Sequence, residues 1–409
     1  MSEDIISELA TKTGSKIVMV VFDGLGDVGE GGTITPLEEA ETPNLDAFAR
    51  ESDLGLTIPL RRGITPGSGP AHLSLFGYDG IFYDVGRGLL SALGLGFKVL
   101  PGDLCLRLNF CTLSNGVIID RRAGRIATEE NERLLKILEK NISIPGMSLF
   151  WLTEKEHRAV LIIRGKDLSD EITDTDPQRE GLPILKSEAK SCGECSDCGC
   201  VSNKISTAKI INSISMGVTK AFEKEKANGV LIRGASLYRE LPSFNEKFKL
   251  NSAAIAVYPM YRGLASLVGM TVISDIKNND ESLQALKDNF SKYDFFFVHF
   301  KDADKHGEDG NYDAKKKCLE EIDKKLGILR ELSIDTLIIC GDHSTPACMS
   351  GHSFHPVPFM IRSKLARRLY KPKSFCEREC RKGELGVFPA QEIMSYALAY
   401  SGKLKKFGA

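Results

Sequence analysis

The stretch Lys16-Ile-Val-Met-Val-Val-Phe-Asp23-Gly24 decides the fold of this chain. Residues 16–22 form a continuous apolar run after the first lysine, which is typical of a strand buried on both faces of a parallel sheet. Asp23 then follows the carboxyl end of that strand, where open α/β sheets place their functional sites. The sequence therefore predicts an α/β core with a functional group at this edge of the sheet.

Two further apolar runs are expected to extend the same sheet. Residues 293–300 and 335–340 also have the composition of buried strands, and residues 313–332 between them are charged with helical periodicity. This alternation predicts a βαβ unit, and so a largely parallel sheet flanked by helices.

The middle of the chain has a different pattern. Residues 104–126 and 157–164 alternate polar with apolar positions and contain many arginines, which indicates a mixed sheet that is partly open to solvent. Residues 129–140 and 205–226 have the periodicity of helices. We therefore expect an α+β domain in this part of the chain.

The length of 409 residues is too great for one simple core, so two domains are expected. The inserted domain should cover the alternating, arginine-rich segments and their helices. The predicted domains are an inserted α+β domain at 98–227 and a core domain made from 1–97 and 228–409.

The composition excludes several classes of partner. The net charge of −1 gives no global field that would attract nucleic acid or an anionic membrane, and we expect neither as a partner. The longest apolar runs are too short to span a bilayer. The acidic N-terminus has no signal-peptide core, so we expect a cytoplasmic protein whose eleven cysteines are mostly reduced.

Acidic and histidine side chains follow the predicted strands. Each of them alone is more often a helix cap, a loop residue or a structural group, but several together favour a functional site. Carboxylates mixed with imidazoles are ligands that suit Mn²⁺, Mg²⁺ or Zn²⁺. The candidate metal ligands are Asp23, Asp304, Asp342, His343 and His352.

Ser68 is the candidate nucleophile. It lies in Thr65-Pro-Gly-Ser-Gly-Pro-Ala-His72, where glycines on both sides allow the backbone to approach a ligand closely. The residues that follow can begin a helix, and a helix N-terminus favours anions. A serine bound to a metal ion loses its proton more readily and can attack phosphorus. An ordinary turn is the alternative explanation of this short motif.

Motifs in a fixed order along nearly the whole chain carry a family resemblance. They include Val-Phe-Asp-Gly-Leu-Gly-Asp (21–27), Pro-Gly-Ser (66–68), Ala-His-Leu-Ser-Leu-Phe-Gly-Tyr-Asp (71–79), Asp-Arg-Arg-Ala-Gly-Arg-Ile (120–126), Ile-Arg-Gly-Ala (232–235) and Gly-Asp-His-Ser-Thr-Pro (341–346). With these motifs the chain resembles the cofactor-independent phosphoglycerate mutases of the archaeal type, within the alkaline phosphatase superfamily. The resemblance implies an alkaline phosphatase-like α/β core and an inserted α+β lid domain. It also implies interconversion of 3-phosphoglycerate and 2-phosphoglycerate through a phosphoserine, without 2,3-bisphosphoglycerate.

The resemblance further implies two divalent metal ions, most often Mn²⁺. The residues implied for one ion are Asp23, Ser68, Asp342 and His343. The residues implied for the other ion are Asp304, His352 and the residue four positions after Asp304.

The chain departs from the family at that last position, where the family usually has histidine and this chain has Glu308. Residues four apart share one face of a helical turn, whereas residues two apart do not. This favours Glu308 over His306 as the ligand. A carboxylate here would favour Mn²⁺ or Mg²⁺ over Zn²⁺.

Arginines of the inserted segment are candidates for substrate binding, because a phosphoglycerate carries a phosphate and a carboxylate and the arginine fork binds both. Singly, each is as readily a solvated surface charge. The resemblance raises the expectation for most of them, and an inserted domain with charged side chains suggests a lid that excludes water. The candidates are Arg122, Arg125, His157, Arg158, Arg233 and Arg262.

A cysteine run is the one motif that the resemblance does not account for. Cys192, Cys195, Cys198 and Cys200 include two Cys-x-x-Cys steps that could bind Zn²⁺ or an iron–sulfur cluster. The last gap is too short for the usual cluster pattern, so a reduced or redox-active loop is favoured.

Two other functions remain open on the sequence. Gly69-Pro70, where the family often has Asp-Thr, and Glu308 also fit another metal-dependent phosphotransfer, such as phosphate-ester hydrolysis or phosphorylation of homoserine. A non-catalytic metal-binding protein, such as a redox sensor built on the cysteine run, is the alternative from another class. Ser68 and the arginines argue against it, because a sensor needs neither.

Overall fold

The computed structural model describes residues 2–83, 85–191, 199–238 and 240–408. The chain divides into two compact units, unit 1 (Met1–Asp84 and Leu241–Ala409) and unit 2 (Val85–Glu240). The strands of the described residues are β1 (Ile17–Phe22), β2 (Ser52–Ile58), β3 (Leu104–Ser114), β4 (Val117–Asp120), β5 (Ser148–Lys155), β6 (Arg158–Arg164), β7 (Gly229–Leu237), β8 (Ser252–Ala256), β9 (Thr271–Val272), β10 (Phe295–Phe300), β11 (Thr336–Cys340), β12 (Val357–Ser363) and β13 (Gly386–Pro389).

Helices connect these strands, and short 3₁₀ turns lie at Glu30–Gly32, Leu326–Arg330, Ala347–Met349 and Ala390–Glu392. None of the helices in the described part of the chain is long and apolar enough to cross a membrane. The helices are α1 (Ser2–Leu9), α2 (Pro36–Glu39), α3 (Pro43–Ala49), α4 (Ser68–Leu75), α5 (Arg87–Gly94), α6 (Thr128–Asn141), α7 (Gly199–Ala221), α8 (Phe244–Phe248), α9 (Pro259–Leu267), α10 (Asn279–Asn289), α11 (Asp302–Glu308), α12 (Tyr312–Asp323), α13 (Glu377–Cys380) and α14 (Ile393–Tyr400).

Unit 1 is built on a sheet in which eight strands of the described residues lie in the order β13-β2-β12-β11-β1-β10-β8-β9. Every neighbouring pair is parallel except the two that involve β12. Strands β1, β10 and β11 are buried along their whole length, as their largely apolar runs predict. The predicted α/β core with a largely parallel sheet flanked by helices is therefore confirmed.

Strand β1 lies at the centre of this sheet, with β10 on one side and β11 on the other. Ile17 pairs with Phe295 across the first boundary and with Thr336 across the second. All three strands run in the same direction, so their carboxyl ends meet at one edge of the sheet. The charged segment between β10 and β11 is helical from Tyr312 to Asp323 and continues in the 3₁₀ turn at Leu326–Arg330.

Unit 2 contains a five-stranded sheet over its described residues, and every pairing in it is antiparallel. The prediction of a mixed sheet was wrong, because the long strand β3 has antiparallel neighbours on both sides, β6 and β7. One face of the sheet is apolar. It packs with helices α6 and α7 into a core that includes Leu106, Leu135 and Ile214.

Unit 2 is wider than the predicted insertion at 98–227. Strand β7 extends to Leu237 because it pairs with β3 along Leu104–Cys111. Helix α5, which begins at Arg87, packs against β3 and β7. These contacts place the boundaries of the unit at Val85 and Glu240.

A buried ion pair fixes two loops at the carboxyl edge of the unit 1 sheet. Lys315 on α12 is fully buried, and its Nζ donates to Oδ2 of Asp27 at 2.8 Å, to the carbonyl oxygen of Gly26 at 3.1 Å and to that of Thr345 at 2.9 Å. Oδ2 of Asp27 also accepts the N–H of Ala347. Lys315 thereby holds the loop after β1 against the loop after β11.

Replacing this ammonium tests how much the ion pair contributes to stability. We expect Lys315→Met to lower the free energy of unfolding by about 3–5 kcal/mol, because it leaves the Asp27 carboxylate buried without its partner. Lys317→Met on the same helix removes an exposed lysine that lies 3.9 Å from Glu321 and should cost less than about 1 kcal/mol. Equilibrium urea unfolding followed by far-UV circular dichroism measures both. Equal losses in the two variants would contradict the role of Lys315.

Candidate active site and metal centre

The candidate metal ligands lie at the carboxyl edge of the unit 1 sheet. Asp23 follows β1 directly, and Asp342 and His343 follow β11 after one glycine. Asp304 lies in the first turn of α11, which begins just after β10. The three central parallel strands therefore deliver all of these side chains to one place, as the sequence predicts.

His343 lies at the centre of this group. Its Nε2 is 3.4 Å from Oδ1 of Asp23, 3.1 Å from Oδ2 of Asp342 and 3.9 Å from Oδ1 of Asp304. Among the described residues, two sets of three side chains have ligand atoms within 4.8 Å of one another. One set is Asp23, Asp342 and His343, and the other is Asp304, His343 and His352.

His352 links the second set to Glu308. Its Nε2 is 3.3 Å from Oδ1 of Asp304 and 3.7 Å from Oε1 of Glu308, and its ring stacks on that of His343 with centroids 3.7 Å apart. Glu308 is half exposed. The ion pairs of the described residues connect Glu308, and not His306, to the candidate ligands.

Ser68 is the first residue of α4, with Gly67 at the N-cap. Its Oγ lies 3.3 Å from Nε2 of His343. The carbonyl oxygen of Pro66, two residues earlier, is 2.9 Å from Nδ1 of His352. The loop before α4 thus brings the serine hydroxyl to the junction of the two candidate ligand sets.

Asp23 and Asp304 are buried, and neighbouring groups nevertheless lower the pKa of both carboxyls. Burial alone would raise the pKa of Asp23, but the charge of Lys301 and the hydrogen bond with His299 outweigh it, so the pKa falls well below its usual value. The pKa of Asp304 is likewise lowered against the effect of burial, first by the hydrogen bond with His352. The pKa of His352 rises to about 9, because its hydrogen bonds to Asp304 and Pro66 outweigh desolvation.

Unpartnered oxygens give an independent test of whether this site suits metal ions. Oδ1 of Asp23 and Oδ2 of Asp342 are buried and accept no hydrogen bond of good geometry from any described residue. A buried carboxylate oxygen that accepts no hydrogen bond is costly, and a divalent cation can satisfy it. The mixed oxygen and nitrogen donors fit Mn²⁺, Mg²⁺ or Zn²⁺.

Several residues that the sequence did not single out surround the ligands. Nζ of Lys301 is 3.0 Å from Oδ2 of Asp23 and also contacts Asp304. The hydroxyl of Tyr261 donates to Asp23, and the Tyr261 ring stacks on His299. Lys301 follows β10 and precedes Asp304 by three residues, a position that could have been read from the sequence. Tyr261 lies in the first turn of α9, which follows β8 as α11 follows β10, so its position at this edge could also have been read from the order of the elements.

A second group of polar residues forms a cavity of about 220 Å³ in unit 2. Strand register places four of its side chains together, because Arg107 pairs with Arg233 and Asn109 pairs with Arg158. Residues two apart on a strand share a face, so Arg107 and Asn109 point away from the apolar core. The cavity is lined by Arg87, Arg107, Asn109, Arg121, Arg122, His157, Arg158 and Arg233.

A buried carboxylate organises two of these arginines. Asp176 accepts hydrogen bonds from Nε and Nη2 of Arg121 at 3.2 and 2.7 Å, and from Nη1 of Arg233 at 3.3 Å. Glu154 lies 3.3 Å from Nε of Arg107. Six arginines therefore line the cavity against two carboxylates, and this excess of positive charge fits an anionic ligand.

The structure brings together most, but not all, of the predicted substrate-binding residues. Arg122, His157, Arg158 and Arg233 line the unit 2 cavity. Arg125 is exposed and does not line it, although its charge acts on His157.

Arg262 belongs to unit 1, whereas the other five predicted substrate-binding residues belong to unit 2. It lies on α9 of unit 1, next to Tyr261. Its Nε is buried and has no hydrogen-bond partner among the described residues. Sequence reasoning missed three residues of the cavity lining, Arg87, Arg107 and Asn109. Arg87 lies in Gly-Arg-Gly (86–88), and the other two lie in the alternating segment 104–126, so both regions offered a signal. The cysteine run at 192–200 lies outside the residues whose side chains the structure describes.

Comparison with known proteins shows which family shares this architecture. A chain from Thermosipho melanesiensis, named as a probable 2,3-bisphosphoglycerate-independent phosphoglycerate mutase, is 48% identical over 100% of this chain and 99% of its own length. The chain belongs to the 2,3-bisphosphoglycerate-independent phosphoglycerate mutase family. A relative of the same name from Thermus thermophilus is 47% identical over 99% of both chains. The model of this mutase family matches residues 49–228.

Solved structures of similar proteins agree with membership of the mutase family. The cofactor-independent phosphoglycerate mutase of Thermoplasma acidophilum is 30% identical, with a TM-score of 0.69 over 95% of this chain and 100% of its own. The PH0037 protein of Pyrococcus horikoshii is 28% identical, with a TM-score of 0.81 over 98% and 100%. Each match spans both units of the mutase fold.

The titration of His157 tests whether the unit 2 cavity binds anions. Burial and then the charge of Arg158 lower the pKa of His157 to about 4, with smaller effects of Arg122 and Arg125. An anion bound among these arginines favours the imidazolium, so saturating sulfate should raise that pKa. A pH titration of the His157 ring by NMR measures it, with chloride at equal ionic strength as the control. A pKa that is the same in sulfate and chloride would contradict anion binding here.

Proposed function

We propose that this protein interconverts 3-phosphoglycerate and 2-phosphoglycerate through a phosphoserine at Ser68, independently of 2,3-bisphosphoglycerate. The observation that carries the proposal is the position of Ser68, whose Oγ is 3.3 Å from the His343 nitrogen shared by both ligand sets. The names of relatives that are 47–48% identical over the full length support the choice of substrate.

The reaction needs no co-reactant beyond the substrate. Ser68 Oγ forms a bond to phosphorus as the bond from phosphorus to the glycerate oxygen breaks, and the serine loses its proton while that oxygen gains one. The other hydroxyl of the same glycerate then attacks the phosphoserine and loses its proton, and Ser68 regains one. Phosphate and protons therefore balance over the cycle, and the product differs from the substrate only in the phosphorylated oxygen.

Residues of unit 1 prepare Ser68 for this role. The N-terminus of α4 places positive backbone dipoles at the serine, which favours the approach of a phosphate. Lys301 adds an ammonium group to the candidate metal site, where it contacts both Asp23 and Asp304. These groups favour the developing negative charge of phosphoryl transfer.

Two divalent ions are proposed to complete this site, with Mn²⁺ as the favoured metal and Mg²⁺ or Zn²⁺ as alternatives. When bound, they lower the pKa of the serine hydroxyl and polarise the phosphate. The proposed ligands of one ion are Asp23, Ser68, Asp342 and His343. The proposed ligands of the other are Asp304, Glu308 and His352.

The arginines of unit 2 are proposed to bind the anionic groups of the glycerate. The excess of arginine over carboxylate in the cavity supports a carboxylate or phosphate ligand. Arg125 and Arg262 lie outside the cavity lining and stay predictions, as do the role of the insertion as a lid and the cytoplasmic location.

Replacement of Ser68 tests the phosphoserine. Ser68→Ala should lower the conversion of 3-phosphoglycerate by more than about 1000-fold, because it removes the nucleophile. Ser74→Ala, a substitution of a buried serine on the same helix, should keep most of the activity. Activity is measured with Mn²⁺ and without added 2,3-bisphosphoglycerate, and mass spectrometry of quenched enzyme should find phosphate on Ser68. Full activity of Ser68→Ala, or strict dependence on 2,3-bisphosphoglycerate, would refute the mechanism.

Replacement of Glu308 tests its role as a metal ligand. Glu308→His should raise the affinity for Zn²⁺ relative to Mn²⁺ by at least about tenfold, because imidazole is a softer ligand than carboxylate. Asp309→His places the same side chain at the neighbouring exposed position and should leave the ratio unchanged. Competitive calorimetric titration of the two metals measures both variants. If both variants bind the metals as the wild type does, Glu308 is not a ligand.

A further inference from the structure

We propose that Thr345 is a positioning residue that sets the tautomer of His343 and links the two ligand sets. This inference deepens the proposed function and depends on the metal centre in it. Thr345 is fully buried, two residues after His343 in Asp-His-Ser-Thr-Pro. Its Oγ1 lies 2.7 Å from Oδ1 of Asp304 and 3.0 Å from Nδ1 of His343.

The number of protons on these three groups fixes their roles. A carboxylate has only acceptor positions, so the hydrogen bond to Asp304 must use the single hydroxyl proton of Thr345. The hydroxyl then has only lone pairs left for His343. Nδ1 of His343 must therefore be the donor, and it carries the ring proton.

This tautomer leaves Nε2 of His343 with a free lone pair. Nε2 is the nitrogen that faces Asp23, Asp342 and Ser68, at 3.4, 3.1 and 3.3 Å. A histidine that ligates a metal through one nitrogen commonly donates the other N–H to a fixed acceptor, which orients the ring. Thr345 is that acceptor, and the same hydroxyl also holds Asp304 of the second ligand set.

The chain holds Thr345 in place from three sides. Its N–H donates to the carbonyl oxygen of Gly26 at 3.0 Å, and its own carbonyl oxygen accepts from Lys315 at 2.9 Å. Gly24 has a φ of +64°, and a Cβ at this position would lie 2.6 Å from Oγ1 of Thr345. A Cβ at Gly307 would lie 2.3 Å from the carbonyl oxygen of Thr345. The two glycines therefore give the threonine the space to reach both ligands.

Two substitutions separate this role from ordinary packing. Thr345→Val keeps the shape of the side chain and removes the hydroxyl, whereas Thr345→Ser keeps the hydroxyl and removes a methyl group. The first readout is the ¹⁵N shift pair of His343 in full-length metal-free protein, assigned with a His343→Asn variant. The second is the binding of Mn²⁺ alone, measured by calorimetry.

We expect the wild type and Thr345→Ser to show a protonated Nδ1 and to bind Mn²⁺ with similar affinity. Thr345→Val should show a mixture of tautomers and bind Mn²⁺ about 10- to 100-fold more weakly. A purely structural role would lower the thermal midpoint of metal-free Thr345→Val but change neither readout, and that result would overturn the inference. Thr345→Ala provides the same comparison if the valine variant does not fold.

The outcomes distinguish this inference from the proposed function. A wild type that binds two Mn²⁺ ions alongside an unchanged Thr345→Val rejects the role of Thr345 and keeps the metal centre. A wild type that binds no Mn²⁺ rejects the metal centre. The tautomer of His343 in Thr345→Val still decides the role of Thr345 in that case.

Discussion

The burial of three carboxylates in one cluster is the constraint on which unit 1 depends. Asp23, Asp304 and Asp342 are each no more than 1% exposed. Ionised groups this close repel each other, and their desolvation costs several kcal/mol each unless cations offset it. Parallel strands make the convergence unavoidable, because β1, β10 and β11 all end at the same edge. The surrounding residues therefore serve first to neutralise and orient the carboxylates.

The two units concentrate charges of opposite sign, and in each unit the neighbouring side chains offset part of that charge. Unit 1 gathers acids and places Lys301 and His352 against them. Unit 2 gathers arginines and places Asp176 and Glu154 among them. In both units the compensation is incomplete, so each presents a site whose remaining charge calls for a ligand of opposite sign. The acidic and basic groups cancel in the net charge of −1, so the overall composition gave no indication of the substrate.

The sequence predicted the parts of the molecule that depend on local pattern. Largely apolar runs marked β1, β10 and β11, and a residue that follows such a strand can end only at the sheet edge, so Asp23 and Asp342 were predictable. Pairing direction in unit 2 was not, because alternation of polar and apolar residues is the same in mixed and antiparallel sheets. Tyr261 follows β8 as Asp304 follows β10, so its place at the same edge was within reach, but its hydrogen bond to Asp23 depends on packing that no local pattern encodes.

The register of the unit 2 sheet has a consequence for how this protein can change in evolution. Arg107 and Asn109 alternate along β3 with Leu106 and Leu108, which face the core. One residue inserted or deleted in β3 would exchange these two faces beyond that point, burying guanidinium groups and exposing leucines. Alternate side chains of this one strand thus line the unit 2 cavity and fill the hydrophobic core. Point substitutions in β3 can change the cavity lining alone, whereas a change in the length of this strand would disrupt the cavity and the core together.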